Sequence, residues 1–242
     1  MSRGLKQWLQ RVAVGTQYPP FTWLYRLLYS LAISLCTRRI KRIRAVRAIY
    51  LRRGLAESRP LYGLSDIDLL VIVEGELDGR AAARVRHAYE RLRRVIPMLP
   101  GPAELGVYNW EYFRSLYDST PFYRARFDQG RLGWKRLYGE DIFRALPPLH
   151  DGARQTVWQE LRPAWNYLAL ELIPESAPGS HGVPRPNYAR RYVAYKAIAE
   201  AARSCLVALG ENASLPRDRA VMHAASAFPE IATELKEVQQ MR

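Results

Sequence analysis

A chain of 242 residues, 48% hydrophobic and 25% charged, is long enough for one large domain or two small ones, and this composition excludes a disordered or collagen-like polymer. Lys+Arg 37 against Asp+Glu 23 leaves a net charge of +14, a positive field that concentrates phosphates, whether of a triphosphate or of a nucleic acid. Cys36 and Cys205 sit far apart within apolar helical patterns and lack CxxC spacing, which argues for two reduced core residues and against structural zinc.

In chain order, Met1 to Thr16 mixes Arg3, Lys6, Gln7, Gln10 and Arg11 with apolar residues and lacks the continuous apolar region of a signal peptide. The apolar stretch Phe21 to Cys36 is interrupted by Arg26 and falls short of the roughly 20 residues of a membrane span. A cytoplasmic chain with no membrane partner is the resulting expectation, and docking on a membrane surface through the helix at Trp23, which rests on amphipathicity alone, is the weaker alternative to burial of that helix's stripe. From Trp23, the residues Leu24, Leu27, Leu28, Leu31 and Leu35 recur at helical spacing, which predicts an amphipathic helix whose leucine stripe is buried against the domain. The helix is expected to run on into a block holding Arg38, Arg39, Lys41, Arg42, Arg44, Arg47, Arg52 and Arg53, read as the basic flank of a site.

Ala48 to Leu51 and the run Leu69 to Val73, richer in β-branched residues, are of strand length, and both read as buried strands. Between Gly79 and Met98 the apolar positions Ala82, Val85, Ala88, Tyr89, Leu92, Val95 and Ile96 predict a helix, and Ala103 to Tyr108 reads as a further short strand. After about Tyr117 strand signals stop, and helices are expected over roughly Arg154 to Ile173, Tyr188 to Leu209 and Arg217 to the C-terminus. The fold class is therefore α+β. A small mixed sheet with flanking helices precedes a mainly helical part, giving an N-terminal helical segment 1–47, a core 48–116 and a C-terminal domain 117–242.

The chemistry is carried by Asp66 and Asp68. On an extended chain at about 3.3 Å per residue, positions two apart share a face and stand about 6 to 7 Å apart. The apolar run that follows anchors them in a core, where two adjacent carboxylates are costly unless a cation compensates. A bare Asp-x-Asp is also the ordinary turn-to-strand start, so the wider segment matters. From Ile49-Tyr50-Leu51-Arg52-Arg53-Gly54, through a loop, to Gly63-Leu64-Ser65-Asp66-Ile67-Asp68-Leu69, the chain closely resembles the signature of the nucleotidyltransferase superfamily, with its polymerase-β-like fold.

The resemblance covers about residues 48 to 110. It implies a Mg²⁺-dependent transfer of a nucleoside monophosphate from a nucleoside triphosphate such as ATP to a hydroxyl-bearing acceptor, with release of pyrophosphate. Asp66 and Asp68 are then metal ligands and catalytic residues, with two Mg²⁺ ions, or Mn²⁺ in their place. Glu104 matches the third carboxylate, a base or a further ligand, and Glu111 is its fallback. Arg53, Gly54, Ser65 and Lys196 are the candidates for binding the nucleotide. The acceptor is a small molecule or RNA. Arg53 replaces the first glycine of the family's small-residue pair, where backbone N–H groups approach phosphate, and this motivates the alternative of a degenerate, inactive module that binds nucleotide or nucleic acid.

Overall fold

The computed structural model describes residues 12–56, 60, 62–63, 65–75, 79–101, 105–119, 127, 130–131, 133–147, 187–209 and 217–240. The chain divides into two compact units, one of Met1–Tyr117 with Gly133–Pro147, the other of Asp118–Leu132 with Pro148–Arg242.

In the first unit a long helix, α1 (Phe21–Ile40), leads through a turn into β1 (Val46–Leu51), and the β-branched run becomes β2 (Leu69–Val73). Helix α2 (Arg80–Arg93) carries the chain across to β3 (Gly106–Asn109), which runs into α3 (Trp110–Ser119). A fourth strand, β4 (Lys135–Gly139), completes a sheet of order β3-β2-β1-β4. β1 is antiparallel to both β2 and β4, whereas β2 and β3 are parallel, as the α2 crossover between them requires. The α+β class is as expected. β4 lies where only helices were expected; it is an edge strand, and Lys135 and Arg136 on it are exposed, so it shows none of the apolar alternation of a half-buried strand.

One face of the sheet buries Ile49 and Leu51 of β1, together with Ile67, Leu69, Val71 and Val73, against Tyr29, Ala32, Cys36 and Ile40 of α1 and Val85 and Tyr89 of α2. This corrects two expectations. Helix α1 takes in Arg38 and Arg39 of the arginine block but stops at Ile40 rather than running on through it, because Val46 to Leu51 are drawn into the sheet. The leucine stripe is not the buried face either: Leu24, Leu27, Leu28, Leu31 and Leu35 are 41 to 54% exposed and Trp23 is 80% exposed. The small residues Ala32 and Cys36 let α1 approach the sheet closely, so the side with less apolar bulk faces inward. Cys36 is fully enclosed, and burial pushes its thiol up to about 12. Cys205 is only half-buried.

On the other face Tyr50 is 2% exposed and stacks edge-on against Phe143 of the 3₁₀ turn Ile142–Ala145. Its hydroxyl donates to the Glu140 carbonyl at 3.1 Å and accepts from the Ile142 N–H at 3.0 Å. Burial above all, with the nearby Asp141 carboxylate, pushes this phenol from 10.0 up to about 12. A folded-state value above the unfolded one means that the stabilisation is complete below about pH 10 and is lost as pH rises towards 12. The thermal midpoint should therefore fall across that window, and Tyr50→Phe should flatten the fall. An equally steep fall in the variant would assign it elsewhere.

The second unit contains α4 (Asn187–Ala208), α5 (Arg217–Ala227) and α6 (Ala232–Gln240). Tyr195, Ala199, Ala202 and Leu206 of α4 line a core with Ala220, Val221 and Ala224 of α5 and Leu235 of α6. The expected single C-terminal helix is broken at Phe228, where Pro229 opens a 3₁₀ turn, since proline is suited to the first turn of a new helix rather than the interior of an old one. The helix expected over Arg154 to Ile173 lies outside the described residues. Among the described residues no helix is long and apolar enough to cross a membrane.

Candidate active site

The two carboxylates stand where the sheet begins. Ile67 is fully buried in the cluster that also takes Leu69, Val71 and Val73, so alternation sends Asp68, Leu70 and Ile72 to the opposite face, and Asp66 lies two positions before Asp68, ahead of the first residue of β2. Asp68 is 5% exposed, and Asp66 is more open. The backbone here is tied down at Asp68 and at Ile67: the Arg52 N–H donates to the Asp68 carbonyl at 2.9 Å, and the Ile67 N–H donates to the Met98 carbonyl at 3.2 Å. The approach to the pair is held from α1. The buried Tyr29 hydroxyl donates to the Ser65 carbonyl at 2.8 Å and accepts from the Gly63 N–H at 3.2 Å, with Gly63 in the left-handed region at φ 89.

Tyr29→Phe removes both bonds at once and strands two backbone groups, so it should cost about 1 to 3 kcal/mol and loosen the segment bearing the carboxylates. Hydrogen exchange at Gly63 should rise in the variant more than exchange in β2, and a uniform rise would show general destabilisation instead.

Arg52 follows Tyr50 by two positions and so shares the carboxylate face. Its guanidinium lies 5.8 Å from the centre of the Trp134 ring. It also packs over Gly106: a Cβ there would meet Arg52 Cζ at 3.4 Å and Leu70 Cδ1 at 3.0 Å. Gly106 is thus the gap that admits the guanidinium beside Leu70. The period-two step from Tyr50 was the signal in the sequence; the arginine run around it hid the one that matters.

Of the other candidates, Ser65 is 5% exposed with its carbonyl held by Tyr29, which suits shaping the loop better than meeting a phosphate. Gly54 lies in a 3₁₀ turn, Arg53–Leu55, directly after β1, and the Arg53 side chain is outside the described residues. Lys196 belongs to α4, in the second unit, and its side chain is likewise outside them. Glu104 is also outside. In sequence it precedes Gly106 by two positions, as Asp68 precedes Leu70, the residue that Gly106 pairs with. Glu111 is exposed in the first turn of α3, next to Asn109, which pairs with Val73 at the far end of β2 from Asp68. Asn109 caps that helix, its Oδ1 accepting from the Glu111 N–H at 2.8 Å, so this end of the sheet is built for structure.

The arginine block is also redistributed. Because Val46 pairs with Val73 and Leu51 with Leu69, residues 38 to 44 precede the sheet at the end away from the carboxylates, roughly 13 to 16 Å along the strands. Arg47 is occupied by Glu74 at 3.1 Å, Glu140 at 2.7 Å and the Trp110 ring. The part of the block from Arg38 to Arg47 is therefore not the flank of the site; among its described side chains, Arg52 reaches the carboxylate face.

Two carboxylates two positions apart offer hard oxygen ligands of the kind Mg²⁺ takes in ones and twos, with phosphates and waters completing its octahedron. Among the described residues no cluster of three or more His, Cys, Asp or Glu is gathered for a metal. Comparison with protein-family models, with curated proteins and with solved structures returns no match to this chain.

Proposed function

We propose that the chain is a nucleotidyltransferase that moves a nucleoside monophosphate from a nucleoside triphosphate to a hydroxyl-bearing acceptor. What supports the reading is Asp68, nearly enclosed at the start of β2 beside the buried Ile67, with Asp66 two positions before it and Arg52, packed beside Leu70, on the face that alternation gives Asp68. Asp66 and Asp68 would hold Mg²⁺, whose charge there would offset that of the triphosphate oxygens. The rigid strand start fixes the carboxylates against their mutual repulsion, and Arg52 adds a planar cation for a phosphate oxygen.

In the reaction the acceptor oxygen attacks the α-phosphorus, the bond from that phosphorus to the bridging oxygen breaks, and pyrophosphate leaves with the electron pair. The acceptor proton passes to a carboxylate, for which Glu104 is the candidate that the family resemblance supplies. Arg53 in place of a small residue favours a second reading, binding without turnover.

Incubation of the protein with labelled ATP, GTP, CTP and UTP, Mg²⁺ and pools of small-molecule and RNA acceptors separates the two. The expected result is label on an acceptor, absent with Asp66→Ala plus Asp68→Ala. Nucleotide binding with no labelled product in any pool would replace transfer with the binding-only reading.

A further inference from the structure

Helix α1 presents two apolar sides and uses one. Its inner side fills the core, while Trp23, Leu24, Leu27, Leu28, Leu31 and Leu35 form an exposed stripe along a helix about 30 Å long. Single exposed leucines are ordinary, whereas six large apolar residues in one stripe mark a surface that meets something.

The charge of the surrounding chain says what. Residues 1–56 contain twelve Lys and Arg and no Asp or Glu, so nearly all of the net +14 is concentrated in the first quarter of the sequence. Arg26 lies exposed along α1, and Arg38, Arg39, Lys41, Arg42 and Arg44 are exposed at its C-terminal end, away from the carboxylates. A nucleic acid would use the cations but gains nothing from a leucine stripe, and a second copy would bring like charge to like. An anionic bilayer satisfies both features. Leucines enter the acyl boundary, tryptophan sits at the level of the headgroups, and arginines reach anionic lipid while their stems stay apolar.

We propose that the outer side of α1 docks the protein on the surface of an anionic lipid membrane, lying in the interface without crossing it. Because α1 covers the sheet face opposite Asp68, docking leaves the Asp68 face turned away from the lipid.

The test is cosedimentation of the full chain with vesicles of phosphatidylcholine alone or with equal parts phosphatidylglycerol. Retention is expected on the mixed vesicles only, weakened by raising salt from about 0.1 to about 0.5 M, which shortens the reach of the lipid charge. Leu27→Ser with Leu31→Ser should lower retention at least about tenfold with an unchanged thermal midpoint, since both leucines are exposed. Arg38→Gln, Arg39→Gln and Lys41→Gln together should abolish the preference for anionic vesicles.

Absence of retention on the mixed vesicles would overturn the proposal. So would retention indifferent to the leucine pair, which would be adsorption by charge alone. A midpoint lowered by several degrees would show that the stripe is covered within the chain, and a dimer that the leucine pair converts to monomer in sedimentation velocity would give the surface to a second copy.

Discussion

Replacing Asp68 by asparagine should lower nucleotide transfer on the order of a thousandfold while leaving the fold intact, and Asp66→Asn should do nearly as much. The amide keeps the size and shape of the carboxylate and removes its charge, so the loss isolates electrostatics from packing. Metal-assisted stabilisation of a phosphoryl transition state amounts to several kcal/mol, and each 1.36 kcal/mol is a factor of ten in rate. Asp68 is the more sensitive of the two because it is nearly enclosed, where charge is less screened by water. A second readout does not need the acceptor. Mg²⁺ with ATP should raise the thermal midpoint of the native protein by several degrees, as any ligand specific to the folded state does, and should leave the Asp66→Asn, Asp68→Asn double variant unmoved. If the double variant is stabilised equally, nucleotide is bound elsewhere and the carboxylate pair is only the start of a strand.

The sequence exposed some of this more clearly than the rest, for physical reasons. Leu69 to Val73 is buried on both faces, so a continuous apolar run, ending in three β-branched residues, marked β2 to the residue. The burial of Ile67 between Asp66 and Asp68 follows the same period of two. The orientation of α1 was not, because a helix with apolar residues on both sides offers no contrast to choose between them. The choice fell to Ala32 and Cys36, whose small size allows close packing and whose presence looks like the weaker face. β4 was hidden for the opposite reason: an edge strand is protected by charge, and Lys135-Arg136 reads as loop until its partner is known. Long-range pairing likewise decided the arginines. Nothing local distinguishes Arg47, held by Glu74 and Glu140, from Arg52, which reaches the carboxylate face, since their partners lie far along the chain or across the sheet.

Gly139→Ala should be the most damaging small substitution in the first unit, and Gly79→Ala is its control. The two glycines have nearly the same backbone, φ +79 and φ +73, so alanine pays the same left-handed penalty of about 1 kcal/mol at either. Their surroundings differ. A Cβ at Gly79 meets nothing within 4 Å, whereas one at Gly139 would lie 1.8 Å from the Arg47 carbonyl oxygen and 2.8 Å from its carbon. Backbone atoms cannot swing aside as a side-chain tip does, so β4 must part from β1 where Gly139 pairs with Ala48 and the Glu140 N–H meets the Arg47 carbonyl. The expected loss is about 3 kcal/mol or more, a fall in midpoint on the order of 10 °C, against a few degrees for Gly79→Ala. The effect should also reach the site. Trp134 immediately precedes β4 and lies against Arg52, so a displaced β4 withdraws the ring from the guanidinium, and nucleotide binding by folded Gly139→Ala at low temperature should weaken while Gly79→Ala binds normally. Equal destabilisation by the two substitutions would mean that the β1–β4 pairing contributes little to holding the site together.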